Sequence, residues 1–317
     1  MRNKVFLITG GTGFIGSLLV RRLVSNNEEV HLIIRKESKL WRIQDIADKI
    51  MCHTSDLSDA DALKKIIEKI KPSIIYHLAT YGAYAYQDEA DRIIKTNILG
   101  TWNLLKAIAD LNYELFVNTG SSSEYGFKQF PMRETDLLEP ASYYAVTKCS
   151  QTLLCYHVAR DEKKPIVTLR PFSVYGPYEE PTRFIPTLMR ALYFKEPINL
   201  VSPEISRDQI YVEDVVDAYL LVDRLKNFAG EIFNIGTGVQ SSIREVVETT
   251  VRVTGRTTDF RWGEMKRRMW DTSNWVADVS KARSLLGWVP KMSPEKGLSL
   301  MWEWFVANRS FYTQVKK

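Results

Sequence analysis

Cysteine and histidine are scarce in this chain, three and four in 317 residues. Cys52, Cys149 and Cys155 cannot all pair and show no metal-ligand spacing, so neither a disulfide framework nor a bound metal is expected. Cys149 and Cys155 read as small apolar residues of a helix. No apolar run approaches the length of a membrane span, and the chain enters directly on a strand without a signal-peptide pattern. The expected location is therefore a reducing cytoplasm, with no membrane partner. Runs of five or more like charges are missing too. The net charge of +5, from 43 basic and 38 acidic side chains, is mild and dispersed, which implies no nucleic-acid partner. It suits an anionic small substrate only weakly. Internal repeats and low-complexity linkers are absent. What is left, 45% apolar and 26% charged, is an ordinary globular composition, long enough for one large domain or two fused lobes.

Short apolar runs then alternate with amphipathic helices. Val5–Ile8, Val30–Ile34, "MCHTSDL", Ser73–His77, "ELFVNTG" and "PIVTLRP" read as strands. Phe14 to Leu23, "DALKKIIEKIK", "DRIIKTNILGTWNLLKAIADL" and "SYYAVTKCSQTLLCYHVARDE" read as helices. This alternation predicts βαβ units and a doubly wound parallel α/β sheet, covered on both faces so that its strands are continuously apolar. After Arg170 the rhythm fades into shorter, proline-rich elements. The expected organisation is a dinucleotide-binding lobe over residues 1–170 and a smaller substrate lobe over 171–317, with 207–235 returning to the first. A substrate cleft would lie outside the carboxyl ends of the strands.

"ITGGTGFIG" places Gly10, Gly13 and Gly16 after a strand and at the opening of a helix. In that context backbone amides and the helix dipole hold a pyrophosphate, although a glycine-rich turn without a ligand is the plainer alternative. The next strand ends in "VHLIIRKES", with no acid at its tip. Arg35, Lys36 and Ser38 stand where an acid would take the ribose hydroxyls of NAD, which favours NADP(H). Glu37 keeps NAD(H) as the alternative. Asp56 either accepts from an adenine amino group or caps the following helix.

Tyr144 and Lys148 lie four residues apart on a helix and share a face, so the ammonium can lower the phenol's pKa for proton transfer. Such a pair is frequent and by itself marks only a helix surface. The company of the glycine loop and of the serines in "NTGSSSEYG" raises it, since a serine hydroxyl there can hold the oxygen that Tyr144 protonates. Tyr143 competes but lies five residues from Lys148.

These motifs, with "YHLAT" at 76–80, Asn97 in "KTNILGT", "RPFSVYGP" at 170–177 and "RDQIYVEDV" at 207–215, resemble the extended short-chain dehydrogenase/reductases. These are the nucleotide-sugar epimerases, dehydratases and reductases, and the resemblance runs in order along nearly the whole chain. It implies a Rossmann fold and a catalytic set of Ser121, Tyr144 and Lys148, with Ser122 in place of Ser121 if the loop carries a one-residue gap. It implies that Thr12, Phe14, Ile15, Leu57, Leu78, Ala79, Thr80, Asn97, Thr119, Pro171, Ser173 and Val174 join the glycines and the 35–38 and 56 positions around the cofactor. Tyr81, Ser122, Ser123, Ser173, Arg207 and Arg268 would meet the nucleotide sugar, the arginines through its diphosphate. Dehydratases of this family carry an acidic or Ser-Glu pair after the catalytic residue, where this chain has Ser122 and Ser123 and reaches Glu124 one position late. "LATYGAYAY", "NTGSSSEYG" and "WDTSNWVA" resemble in particular the CDP-paratose and CDP-abequose synthases. The expectation is thus an NADPH-dependent reductase of a nucleotide-linked 4-keto-6-deoxyhexose. The alternative is an NAD-dependent 4-epimerase or dehydratase, and a non-catalytic redox sensor would have no need of the proton donor. Family members pair two long helices, here near 92–111 and 142–161, into a homodimer, which Leu153, Leu154 and Val158 suit.

Overall fold

In the computed structural model, which describes residues 4–266 and 271–313, the early runs become parallel strands. They are β1 (Val5–Thr9), β2 (Glu29–Ile34), β3 (Met51–Thr54), β4 (Ile74–His77), β5 (Leu115–Thr119) and β6 (Ile166–Pro171). Between them run α1 (Phe14–Ser25), α2 (Ala60–Ile70), α3 (Ala90–Ile94), α4 (Gly100–Ala107) and α5 (Tyr143–Asp161). With the later strand Ile232–Ile235 they form one seven-stranded sheet, in the order Ile232–Ile235, β6, β5, β4, β1, β2, β3. The fold is the doubly wound, Rossmann-like α/β architecture. From β1 the chain winds outward through β2 to β3, then returns to β4 on β1's other side and winds away through β5 and β6. The β1/β4 boundary is therefore the switch point, where successive connections diverge and leave room for a ligand above the strand ends.

Every residue of β4 and of β6 is buried, which is why these strands carry no polar alternation. The edge strand β3 stays largely exposed. Helix starts follow local chemistry: the Asp59 carboxylate caps α2 by accepting from the Ala62 amide, and the Ser142 hydroxyl caps α5 by accepting from that of Ala145. The single helix expected over 91–111 is instead α3 and α4 joined by a π-helical turn, Lys95–Leu99. Such a turn rotates the following residues, and here it holds Asn97 fully buried.

The chain divides into two compact units, Met1–Gly126 with Leu137–Pro171 and Val216–Phe233, and Phe127–Asp136 with Phe172–Val215 and Asn234–Lys317. The returning segment is shorter than 207–235. Ser206–Arg207 pairs with Ser241–Ser242 and Gln209–Tyr211 with Ser173–Tyr175, which keeps residues 206–211 in the second unit. Residues 127–136 also belong there, because Met132 bridges to Ala277 and its carbonyl accepts from Asn234 Nδ2. Among the described residues no helix is long and apolar enough to cross a membrane.

Candidate active site

The glycine loop meets the switch point without side chains in the way. Gly10 has φ +75°, and a Cβ there would stand 2.5 Å from the Ala79 amide nitrogen and 2.6 Å from the Leu78 carbonyl carbon. Gly16 packs the first turn of α1 onto the loop, where a Cβ would fall 2.2 Å from the Gly10 carbonyl oxygen. Gly13 differs: a Cβ would meet only that same oxygen, at 3.2 Å. Gly13 is also the N-cap of α1 and brings no side-chain cap, so the helix's opening amides, beside Thr12, Phe14 and Ile15, are not closed off by a side chain. A cradle that a Cβ would fill, at a helix start above the switch point, fits a dinucleotide pyrophosphate.

At the tip of β2 the Arg35 amide donates to Ser38 Oγ at 2.9 Å, so that serine is engaged by the turn itself. Arg35 Nε stands 3.3 Å from Glu37 Oε1, and Arg92 Nη2 stands 3.7 Å from the same oxygen. The basic tip is thus partly neutralised by the acid two residues on. Lys36 is exposed. Asp56 does not cap α2, which Asp59 does; Asp56 accepts from the Ser58 amide at 2.8 Å. Partial burial raises the Asp56 carboxyl, but the Ser58 hydrogen bonds and the charges of Arg35 and Lys95 outweigh it and hold the group below its ordinary value. Leu57 beside it is buried.

Beneath the loop runs a buried polar chain that the sequence motifs contained but did not explain. Thr101 Oγ1 donates to the Asn97 carbonyl at 2.6 Å, so it accepts from His77 Nε2 at 2.9 Å. His77 Nδ1 then accepts from Thr9 Oγ1 at 2.6 Å. Burial, followed by the charge of Lys148, drives the His77 pKa down to about 3, so the ring is neutral. Asn97 completes the arrangement. Its Oδ1 accepts from the Tyr81 amide and the Thr80 hydroxyl, and its Nδ2 donates to the Tyr81 carbonyl and to Thr147 Oγ1 on α5. One side chain therefore ties the segment after β4 to the helix that carries Tyr144 and Lys148. The Tyr81 ring is 7% exposed and lies under the Arg92 guanidinium, 4.4 Å from ring centroid to Cζ. The histidine of "YHLAT" was the available signal for this network, but its threonine partners come from β1 and α4.

After β5 the chain turns through a short helical segment, Ser122–Tyr125, capped by Ser121. Ser121 Oγ accepts from the Ser123 amide at 3.1 Å, which turns the hydroxyl's own proton away from the loop. Ser122 is buried and Ser123 half-buried. Lys148, 2% exposed, donates through Nζ to the Thr119 carbonyl and to Gln151 Oε1. Thr119 Oγ1 shares a 2.6 Å hydrogen bond with the Tyr219 hydroxyl, whose pKa burial raises, with the Tyr144 phenol acting in the same direction. Burial lowers the Lys148 pKa to about 8, against the opposing pull of Glu124. Tyr143 is 64% exposed, whereas Tyr144 is half-buried on the Lys148 side. Glu124 is sealed: it is 0% exposed and its Oε2 stands 2.8 Å from Arg170 Nη2.

The first unit thus assembles the glycine loop, the β2 tip, Asn97, Ser121, Tyr144 and Lys148, with Pro171 buried at the end of β6. Ser173, Val174 and Arg207 belong to the second unit. Ser173 and Val174 lie in the strand Ser173–Tyr175. Arg207 is no solvated surface charge. Its Nη1 donates to the Ser206 carbonyl at 2.7 Å, its Nη2 stands 3.5 Å from Asp271 Oδ1, and its Cζ lies 5.2 Å from the Trp275 ring. Next to it Asp208 accepts from Thr237, Gly238 and Ala277, fixing that stretch of backbone. Arg268 lies outside the described residues.

The family model of the NAD dependent epimerase/dehydratase family matches residues 6–236. The chain belongs to this family. The UDP-glucuronate 4-epimerase of Thermodesulfobacterium geofontis (strain OPF15) is 28% identical, over 98% of this chain and 99% of its own. The dTDP-glucose 4,6-dehydratase of Shigella flexneri is 28% identical, over 98% and 95%. The crystal structure of the UDP-glucuronic acid 4-epimerase from Bacillus cereus, in complex with UDP-glucuronic acid and NAD, superposes with a TM-score of 0.85 at 28% identity. That match covers 96% of this chain and 99% of the other. The chain is therefore an enzyme of the NAD-dependent, nucleotide-sugar short-chain dehydrogenase/reductase type. The narrower likeness to CDP-sugar reductases rests on its short motifs alone.

Proposed function

We propose that this enzyme is a nucleotide-sugar 4-epimerase that retains NAD, which replaces NADPH-dependent reduction as the leading reading. The observation that carries it is the sealed state of Glu124. Dehydration needs an acid and a base beside the catalytic hydroxyl, yet positions 122 and 123 are serines and the one acid of the turn is buried against Arg170. Reduction with NADPH drew its support from Arg35, and Arg35 is shared with Glu37. Glu37 can in turn accept from ribose hydroxyls. The two 4-epimerases named above, one of them crystallised with NAD, lean the same way.

Gly10, Gly13 and the start of α1 would hold the pyrophosphate, and Lys148 the nicotinamide ribose. When bound, the nicotinamide would accept the hydride that leaves C4 and give it back to the opposite face of the sugar. Ser121 donates a hydrogen bond to the C4 oxygen. Tyr144 takes the proton from that hydroxyl during oxidation and gives it back during reduction, so no net proton or electron is consumed. The Lys148 cation favours the phenolate that begins this cycle. Arg207 and the arginine at 268 would grip the diphosphate, so that binding energy away from C4 orients the ring.

A homodimer formed through α4 and α5 goes with this reading. Of the three residues named from the sequence Leu153 is 56% exposed, whereas Val158 is buried and Leu154 packs against the core; Trp102, Val146 and Tyr156, 41% to 45% exposed, join Leu153 along these helices. Such an apolar stripe suits a helical interface.

The test is to release and identify the nucleotide that copurifies, then to incubate the protein with UDP-glucose or UDP-glucuronate and look for the C4 epimer. NAD and a redox-neutral conversion are expected. NADP in the protein, with stoichiometric oxidation of added NADPH in the presence of a 4-keto sugar nucleotide, would return the case to the reductases.

A further inference from the structure

We propose that Glu124 is a positioning residue: its buried carboxylate holds the serine turn against α5 and β6 and meets α5 at Thr152, one helical turn from Lys148. The proposal rests on the reading of Ser121, Tyr144 and Lys148 as the catalytic set.

The carboxylate reaches three elements at once. Its Oε1 accepts from the Ser121 amide at 2.7 Å and from Thr152 Oγ1 on α5 at 3.1 Å, and its Oε2 accepts from Arg170 Nε on β6 at 2.9 Å. Arg170 is itself held: Nη1 donates to the Tyr125 hydroxyl at 2.9 Å, and Cζ lies 4.7 Å from the centre of that ring. The loop is cut to admit the pair. A Cβ at Gly120 would stand 2.7 Å from Glu124 Oε1 and 2.8 Å from Arg170 Cγ.

A buried ion pair is a poor way to gain stability, because a well-packed apolar pair of similar volume is often as stable or more so. What the carboxylate provides and a leucine would not is direction, through hydrogen bonds that converge on the residue bearing the candidate hydroxyl. Glu124 takes the amide of Ser121 and leaves its Oγ to accept from Ser123, so the serine proton stays available outside the turn.

The charge matters for Lys148. The titratable groups around this ammonium are Glu124 from the serine turn, Tyr144 and Cys155 on its own helix and His77 from β4. His77 is neutral and burial pushes the Cys155 thiol up; burial raises the Glu124 carboxyl too, but the Arg170 guanidinium 2.8 Å away, the Ser121 amide and Lys148 oppose that rise and favour its charged form. Burial drives Lys148 down and Glu124 opposes it, so removing that carboxylate lets Lys148 lose its proton at a lower pH.

NADH affinity measured against pH, by fluorescence titration, tests this without any sugar substrate. The affinity carried by the Lys148 charge should fall as pH rises through about 8 in the wild type. In Glu124→Gln the midpoint should move downward by about one pH unit, with binding unchanged well below it. A purely structural role for Glu124 would lower the melting temperature and leave the midpoint in place, and coincident midpoints overturn the proposal. Should that variant fail to fold, Glu124→Gln combined with Arg170→Gln removes both charges; a downward shift is still expected, smaller because the Arg170 cation no longer opposes the Lys148 charge, and its absence has the same consequence. Hydrogen exchange at pH 6 should quicken selectively over residues 120–126 in either variant, and unchanged protection there overturns the holding of the turn. Lys148→Met separates the two claims. A Lys148→Met protein that keeps the wild-type pH profile refutes the assignment of Lys148, whereas loss of the profile there alongside an unmoved Glu124→Gln midpoint refutes only the role of Glu124.

Discussion

Alanine placed at each of the three fingerprint glycines should separate what the fold needs from what a ligand needs. At Gly16 the new Cβ would sit 2.2 Å from the Gly10 carbonyl oxygen, backbone that already accepts from the Gly13 amide at 3.0 Å. Relief requires α1 or the loop to move by about an ångström, an overpacking cost of about 3 kcal/mol. At Gly10 the positive φ adds about 1–2 kcal/mol to a clash with the Ala79 amide. Gly13 is different. Its φ of −79° and ψ of −177° are open to alanine, and its one close neighbour needs to yield only a few tenths of an ångström. Replacing an N-cap glycine by alanine costs about 1 kcal/mol. Thermal midpoints should therefore fall by roughly 6–12 °C in Gly10→Ala and Gly16→Ala and by roughly 2–4 °C in Gly13→Ala. NADH affinity should show the opposite pattern for Gly13→Ala, a loss of about a hundredfold, or about 2.8 kcal/mol, because the methyl occupies the approach to the pyrophosphate. Differential scanning fluorimetry and fluorescence titration measure the two. A Gly13→Ala protein that binds NADH as the wild type does would refute the placement of the dinucleotide on this loop. A Gly16→Ala protein of undiminished stability would refute the steric argument.

Two further outcomes are expected. Tyr144→Phe should lower turnover of whichever UDP-sugar is converted by about 10²–10⁴-fold, since the phenol is the proton carrier, with NADH affinity essentially kept; near-normal turnover would remove Tyr144 from its role. Leu153→Glu should convert the protein to a monomer by light scattering, because it sets a carboxylate into the exposed stripe of α5, and an unchanged mass would place any dimer interface elsewhere.

Much of the architecture was legible because it is local. Apolar runs of strand length, helical spacing and glycines at a strand–helix junction are consequences of backbone geometry within about twenty residues. The Tyr144–Lys148 face was readable for the same reason, as four residues bring side chains together on any helix. The helix over 91–111 was legible except for its π-turn, whose cause is the tertiary engagement of Asn97 with Tyr81 and Thr147. The path of residues 127–136 into the second unit was not legible, since the Met132 partners Asn234 and Ala277 lie 102 and 145 positions further along the chain.

The sequence by itself determined that a parallel sheet would form, where its glycine loop would stand, and which phenol and ammonium would share a helix face. Only the tertiary structure decided the charges. Arg35 reads with Lys36 as a basic strand tip in the chain, but in the fold it pairs with Glu37, which also reaches Arg92. Glu124 reads as a displaced catalytic acid, yet Arg170, on the neighbouring strand β6, takes it out of the chemistry and builds it into the wall. The reason is physical: what an ionisable group does depends on its solvent and its nearest counter-charge, and both are set by which segments the fold brings together.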